Sequence, residues 1–239
     1  MMKLSVLGTG SKGNCYLVEA DGETLILDAG LNVRQIVLGI ENPAKVAGCL
    51  VTHEHGDHAH SAVNLIKRGI KVMMSRGTAE AIKADGLDGV IIAEPLKVIH
   101  MGAFRVMPFG VEHDAAEPMG FLIAKGSERL LYLTDTFYCR YTFPGINYWL
   151  VECNYCDELI GEADEALRQR LIQSHMSLRR LSDMLTANDM SSARKIVLIH
   201  LSDARSDETR MVQEISKLTD AEVVAARTGM EIWLDEQPF

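Results

Sequence analysis

The chain has 239 residues, 24 Lys and Arg against 33 Asp and Glu, a formal charge of −9, 47% apolar residues and 24% charged residues. These proportions are those of an ordinary globular protein and exclude disorder, collagen and coiled coil, and the length suffices for one large domain whose core needs no disulfide. The acidic balance also argues against broad, non-specific nucleic-acid binding, which comes mainly from Lys and Arg neutralising phosphates, while leaving room for a local basic groove.

The opening segment, residues 1–8, carries one Lys and a short apolar run broken by glycine, too brief for a signal sequence. No stretch approaches the ~20 apolar residues of a spanning helix. With an odd set of scattered cysteines (Cys15, Cys49, Cys139, Cys153 and Cys156), the expectation is a cytoplasmic protein with free thiols. Short apolar, β-branched runs bounded by Gly, Asp or Pro predict strands over 3–7, 15–20, 24–28, 47–52, 71–74, 103–111, 120–124, 129–134, 148–152, 195–199 and 231–234. Helical spacing predicts helices over 32–40, 60–68, 78–85, 157–173, 178–188 and 207–218. Strands crowd the first third and then alternate with helices, which suits two packed sheets covered by helices: an α/β, four-layer αββα sandwich in one domain over 1–239.

Gly8-Thr9-Gly10-Ser11-Lys12-Gly13 has the spelling of a dinucleotide-binding loop, with Asp28 following further on. That motif needs a helix starting at its third glycine, whereas residues 14–20, Asp21-Gly22 and residues 24–28 read as a β-hairpin. The loop is instead expected to line a polar site and to offer backbone N–H groups, Ser11 or Asn14 to a substrate anion.

The most informative stretch is Thr52-His53-Glu54-His55-Gly56-Asp57-His58, directly after the apolar run 48–51. Neutral imidazoles and carboxylates are the groups that bind Zn²⁺ and similar cations. In a turn leaving a strand, His53 and His55 can reach one ion while Asp57 and His58 turn toward a neighbour, giving a two-metal site.

This segment resembles the signature of the metallo-β-lactamase-fold hydrolases, His-x-His-x-Asp-His, over nearly the whole chain. Their early strand ending in Asp-Ala-Gly is matched by Asp28-Ala29-Gly30, where Asp28 would orient the metal loop from behind. Their three later ligands are matched by His113 in Val111-Glu112-His113-Asp114, Asp135 in Leu133-Thr134-Asp135-Thr136 and His200 in Ile199-His200-Leu201-Ser202. The resemblance implies one metal held by His53, His55 and His113, a second by Asp57, His58 and His200, and Asp135 bridging. Two cations about 3.5–4 Å apart lower the pKa of a water, which Asp57 would orient or deprotonate. Zn²⁺ and Mn²⁺ both suit these ligands. His60 and His100 match nothing in the pattern and are expected at a helix start and in a strand.

His55 argues against the redox di-iron members, which carry Glu there, and His58-Ala59-His60 against the glyoxalase-type thioesterases. Three runs are similar to the phosphodiesterase branch that includes tRNase Z, the YycJ/WalJ-type exonucleases and the phage anti-Pycsar cyclic-nucleotide phosphodiesterases: His113-Asp114-Ala115 with Pro118-Met119-Gly120-Phe121, Ser174-His175-Met176-Ser177, and His200-Leu201-Ser202. The resemblance makes His175 the group that stabilises charge on the phosphorane or protonates the leaving oxygen, with Ser177 near substrate; the bland alternative is that Ser174 or Ser177 caps a helix. Without His175 in that role a lactonase or thioesterase would fit.

No Gly/Pro-rich arm of the tRNase Z kind is present. Compact length, that missing arm and the acidic charge put a 3′,5′-cyclic mononucleotide slightly ahead as substrate, with DNA ends attacked 5′ to 3′ as the alternative, supported by the Gly-Ser-Lys-Gly-Asn opening. Lys12, Lys67, Arg68, Arg179, Arg180, Arg194, Lys195, Arg205 and Arg210 could touch phosphates or simply be solvated. A homodimer is expected from the resemblance alone. Cys153-Asn154-Tyr155-Cys156 lacks the second pair a zinc site needs, and its place at a strand end suits Asn154 or Tyr155 facing the site. Tyr138, Tyr141, Phe143 and Trp149 are equally suited to stacking on a base and to an ordinary core or interface.

Overall fold

The structure, a computed structural model, describes residues 2–162 and 164–234. Met1 of the opening segment and Ala163 within the helix expected over 157–173 lie outside the described residues. In chain order the elements are β1 (Met2–Gly8), β2 (Cys15–Ala20), β3 (Glu23–Leu27), α1 (Val33–Gly39), β4 (Val46–Leu50), α2 (Gly56–Ala59), α3 (Ala62–Ile66), β5 (Val72–Met74), α4 (Arg76–Ala81), β6 (Val90–Ile92), β7 (Ile99–Met101), β8 (Phe104–Gly110), β9 (Met119–Lys125), β10 (Glu128–Leu133), β11 (Tyr148–Glu152), α5 (Glu165–Ser174), α6 (Leu178–Thr186), β12 (Lys195–Ile199), α7 (Glu208–Ser216), β13 (Glu222–Ala225) and β14 (Glu231–Trp233). The chain forms two compact units, one of residues 2–110, 115–126 and 227–234, the other of residues 111–114 and 127–226.

The first unit holds a sheet in the order β14-β1-β2-β3-β4-β5-β6. β1, β2 and β3 are antiparallel neighbours, and β3 to β6 run parallel. The glycine loop feeds β2 of a hairpin and no helix, so the dinucleotide reading fails on the ground expected. One face is built by residues in register across four strands, Leu17 beside Ile26, Ile26 beside Cys49 and Cys49 beside Val72. They pack in one core with Ile36 of α1, Leu65 of α3 and Ala79 of α4. Each such large aliphatic side chain contributes about 1.5–3 kcal/mol on burial. The unit also contains the antiparallel strands β7, β8 and β9.

In the second unit β10, β11, β12 and β13 are all parallel, with α5 and α6 connecting β11 to β12 and α7 connecting β12 to β13. β11 and β12 are buried at every position, which is why they read as unbroken apolar runs.

Three strands escape the sequence pattern. β6 and β7 are three residues long, too short to show alternation, and β13 is a four-residue strand at the end of the parallel set. The helix expected over 60–68 is instead α2 and α3, parted at Ser61, whose N–H donates to Ala29 O at 2.8 Å and whose Oγ donates to Leu31 O at 2.6 Å. The helix expected from 157 starts at 165, because Asp164 is the cap: its Oδ1 accepts from Leu167 N at 2.9 Å.

Among the described residues no helix is long and apolar enough to cross a membrane. All five cysteines are free thiols and buried. Burial raises the pKa of Cys153 and of Cys156, the opposite of what a reactive Cys-x-x-Cys pair requires.

Candidate metal and catalytic site

In the first unit the metal loop leaves the carboxyl end of β4, the edge at which parallel strands present their ligands. Behind it stands Asp28, fully buried just past β3. Asp28 Oδ1 accepts from Thr52 N at 2.8 Å, both its oxygens lie 3.0 Å from Thr52 Oγ1, and Oδ2 takes the His58 Nδ1–H at 2.7 Å. With its proton given to Asp28, Thr52 Oγ1 accepts from His53 Nδ1 at 3.0 Å. One carboxylate thereby fixes the tautomers of two imidazoles and keeps the proton off both Nε2 atoms, the arrangement that orients metal-binding histidines, while Asn14 Nδ2 stands 3.1 Å from His58 Nε2 and holds it in place.

The loop is also held by backbone. Asn14 N donates to Asp57 O at 2.7 Å, Gly30 N to Asn14 O at 2.9 Å and Ala29 N to His58 O at 2.7 Å. A Cβ on Gly30 would stand 1.7 Å from Asp57 O, so the glycine of Asp28-Ala29-Gly30 is required by close approach of the metal loop.

In the second unit the site residues also come from strand ends: Asp135 past β10, Glu152 closing β11, and His200 past β12. Asp135 stands 3.7 Å from His113 Nε2, 3.7 Å from His200 Nδ1 and 3.8 Å from His175 Nδ1. His113 Nδ1 donates to Ser174 O at 2.9 Å, which leaves Nε2 as the unprotonated nitrogen. Burial lowers the His113 pKa, outweighing the opposite pull of Asp135 and the Ser174 carbonyl, so the neutral form that binds metals is favoured.

Glu152, which the sequence offered only as the last residue of a strand, is the centre of this cluster. It is fully buried and accepts from His175 Nδ1 at 2.7 Å, His200 Nδ1 at 3.0 Å, Met176 N at 3.1 Å and Thr136 N at 3.2 Å. Burial would raise its pKa, but the charge and hydrogen bond of His175 and the hydrogen bond of His200 bring it below the usual value. For His175 burial acts downward, and the Glu152 and Asp135 carboxylates overcome it, so the pKa is raised. A carboxylate ending an otherwise apolar strand was the signal that could have found Glu152. Asn154 donates from Nδ2 to His200 O at 2.8 Å and so does face this cluster, whereas Tyr155 pairs with Ser177 and packs on Ile160 and Leu171.

Asp28, Asp135 and His200 all adopt left-handed backbone, at φ of 58°, 45° and 54°. Such conformations cost about 1–3 kcal/mol each and persist where the surroundings over-determine them.

Two of the expected substrate contacts have framework jobs instead. Asn14 is fully buried, with Oδ1 accepting from Gly10 N at 2.9 Å and Tyr16 OH at 3.1 Å and Nδ2 reaching Gly10 O at 3.2 Å and His58 Nε2 at 3.1 Å. Ser177 is buried and caps α6, its Oγ accepting from Arg180 N at 3.3 Å. Ser11 is exposed in the glycine loop. His60 is exposed at the end of α2, not at a helix start, and His100 lies in β7. Of the expected phosphate contacts, Lys195, Arg194 and Arg210 pair with Glu222, Glu128 and Glu158 at 3.0, 3.0 and 2.8 Å.

The donor set fits divalent cations. Two nitrogens on one tetrahedral ion, each at about 2.0–2.1 Å, stand roughly 3.3 Å apart, and His53 Nε2 and His55 Nδ1 are separated by 3.1 Å. In the second unit Asp135, Glu152, His175 and His200 gather within 4.8 Å of one another, and there Glu152 is taken up by hydrogen bonds from His175 and His200, the place of a brace behind a ligand.

The β-lactamase superfamily domain matches this chain over residues 23–201. The chain belongs to that family. It is 27% identical to the exodeoxyribonuclease WalJ of Streptococcus pneumoniae over 91% of this chain and 86% of the relative. It is 29% identical to the exodeoxyribonuclease YycJ of Bacillus anthracis over 84% of this chain and 83% of the relative. In structure it is similar to the metallo-β-lactamase fold protein YhfI of Bacillus subtilis, with a TM-score of 0.77 and 18% identity over 97% of this chain and 98% of that one. The expected αββα fold, and membership among the metallo-β-lactamase-fold hydrolases, are borne out.

Proposed function

We propose that the protein is a metal-dependent phosphodiesterase that removes nucleotides from DNA ends, 5′ to 3′, with two divalent ions, zinc or manganese. The ligands follow the family pattern: His53, His55 and His113 for one ion, Asp57, His58 and His200 for the other, and Asp135 shared. Ions held there would polarise the phosphoryl group and lower the pKa of a water. The chain's own residues do the rest. Asp57 orients that water or takes its proton, and Asp28 and Glu152 fix the histidines from behind. His175 stabilises the charge of the phosphorane or protonates the leaving oxygen. The observation that carries this reading is the 2.7 Å hydrogen bond from His175 to Glu152, the carboxylate that also holds His200. It sets an imidazole with a raised pKa beside His200, where it can carry positive charge or give a proton to a leaving oxygen.

Two relatives named as exodeoxyribonucleases favour the DNA end over the cyclic nucleotide that the acidic balance put first. The charge of −9 keeps 3′,5′-cyclic mononucleotides as the second reading. Turnover on 5′-labelled single- and double-stranded DNA beside a panel of cyclic mononucleotides, with His53→Ala as blank, separates them. Shortening of DNA supports the nuclease, and linear mononucleotide from the cyclic substrates alone overturns it.

A further inference from the structure

The four aromatic residues clustered after Asp135 divide in the structure. Trp149 and Phe143 are buried edge-to-face, their ring centroids 6.4 Å apart, and belong to the core. Tyr138 is 57% exposed, and Phe137 and Tyr141 are partly open. With Arg180 of α6 these three line a cavity of about 240 Å³ within the second unit, floored by Met176 and Met184. The cavity is smaller than the roughly 300–1,000 Å³ of clefts that enclose a drug-sized molecule, which suits a single flat ring system.

Its walls are pre-set. The Arg180 guanidinium lies over the Phe137 ring at 5.3 Å from the centroid, while Nη1 donates to Ile172 O at 2.6 Å and the Arg180 N–H is capped by Ser177. A planar cation fixed on an aromatic face forms a platform against which a further π-face can stack. Arg140, at the rim, is neutralised by its ion pair with Glu112, so the cavity offers stacking surface more than phosphate-binding charge. Both walls also leave directly from site residues: Phe137 is two residues beyond Asp135, and Met176 follows His175.

We propose that this cavity is a nucleobase subsite, in which Phe137, Tyr138, Tyr141 and Arg180 hold the base of a nucleotide next to the scissile phosphate. The inference rests on the phosphodiesterase reading above and names DNA as the source of the base, with a cyclic mononucleotide as the other source of the same chemistry. Stacking of this kind is sequence-tolerant, because every base has a π-face. It gives an acidic protein a hold on its substrate that does not depend on a basic groove.

The test uses Tyr138→Ala, which removes an exposed ring, and Phe137→Leu, which keeps volume but loses the π-face. Binding is read by quenching of 2-aminopurine in a single-stranded oligonucleotide and, in parallel, by competition with a cyclic purine mononucleotide. Turnover is read on DNA, the cyclic mononucleotide and bis(p-nitrophenyl) phosphate, which has no base. Wild-type protein should quench 2-aminopurine, and each variant should lose about five- to a hundredfold in affinity for base-bearing substrate, with bis(p-nitrophenyl) phosphate turnover within about twofold. An abasic residue in the oligonucleotide should cost the wild type as much as the substitutions do and cost the variants nothing. Normal DNA binding and turnover in both variants would overturn the subsite and leave the nuclease standing. Base-dependent loss on the cyclic mononucleotide, with DNA not cleaved by any form, would keep the subsite and overturn the nuclease. Equal losses on all three substrates would overturn the subsite by showing a general defect.

Discussion

The two units carry comparable chemistry in different ways. In the first, four candidate ligands lie within six consecutive residues, His53 to His58, and one buried carboxylate, Asp28, braces the loop from a neighbouring strand. In the second, Asp135, Glu152, His175 and His200 come from separate loops and strand ends: His175 and His200 meet on Glu152, and Asp135 stands beside both histidines. A site written in one loop can be preserved by fixing that loop. A site gathered from several strands depends on the register of the whole parallel sheet and on a carboxylate that no local motif announces.

Breaking the gathered cluster at its reacting end should give the largest effect. His175→Ala is expected to lower turnover on phosphodiesters by about 10²–10⁴-fold with metal content unchanged, read by steady-state kinetics beside metal analysis. Indifference would return His175 to the role of a residue that merely precedes a helix cap. Next come the two braces, which put the units on an equal footing. Asp28→Asn and Glu152→Gln should each cost roughly 10–100-fold in activity or metal affinity, the usual cost of a lost carboxylate behind a metal-binding histidine. A large loss in only one would show that only one unit relies on such a brace.

Stability should separate the units differently. Gly30→Ala forces a methyl group against Asp57 O and should displace the metal loop, costing about 1–3 kcal/mol or more, the range seen for overpacking, and lowering the melting temperature. Glu152→Ala strands the buried N–H groups of Thr136 and Met176, at about 1–3 kcal/mol each. Ser177→Ala should be the mildest, about 0.5–2 kcal/mol for a lost helix cap with kcat unchanged; a selective loss of kcat would give Ser177 back the substrate contact that its burial argues against.

The same contrast governs what could be read from the residues alone. The candidate ligands of the first unit are legible because they share one loop and the carboxylate behind them sits in Asp28-Ala29-Gly30. His113, Asp135 and His200 were legible only as members of an ordered series of strand ends, since an isolated His or Asp carries little information. Glu152 reads as a strand terminus: its place at the end of an apolar run is the one local mark it carries, and that mark does not say that it accepts from two imidazoles. Asn14 and Ser177 read from sequence as substrate contacts because a polar residue beside a site looks the same whether it faces the ligand or the framework. In the fold, long strands such as β8 and β12 declared themselves, whereas β6, β7 and β13 depend on neighbours for their pairing and have too few residues to show a period.

Metal content of the purified protein after equilibration with zinc or manganese, repeated on His55→Ala and His200→Ala, bears most directly on the proposed two-metal site. Two ions per chain are expected in the wild type and one or fewer in each variant. A wild type that binds no divalent ion, or variants that both keep the full complement, would contradict it.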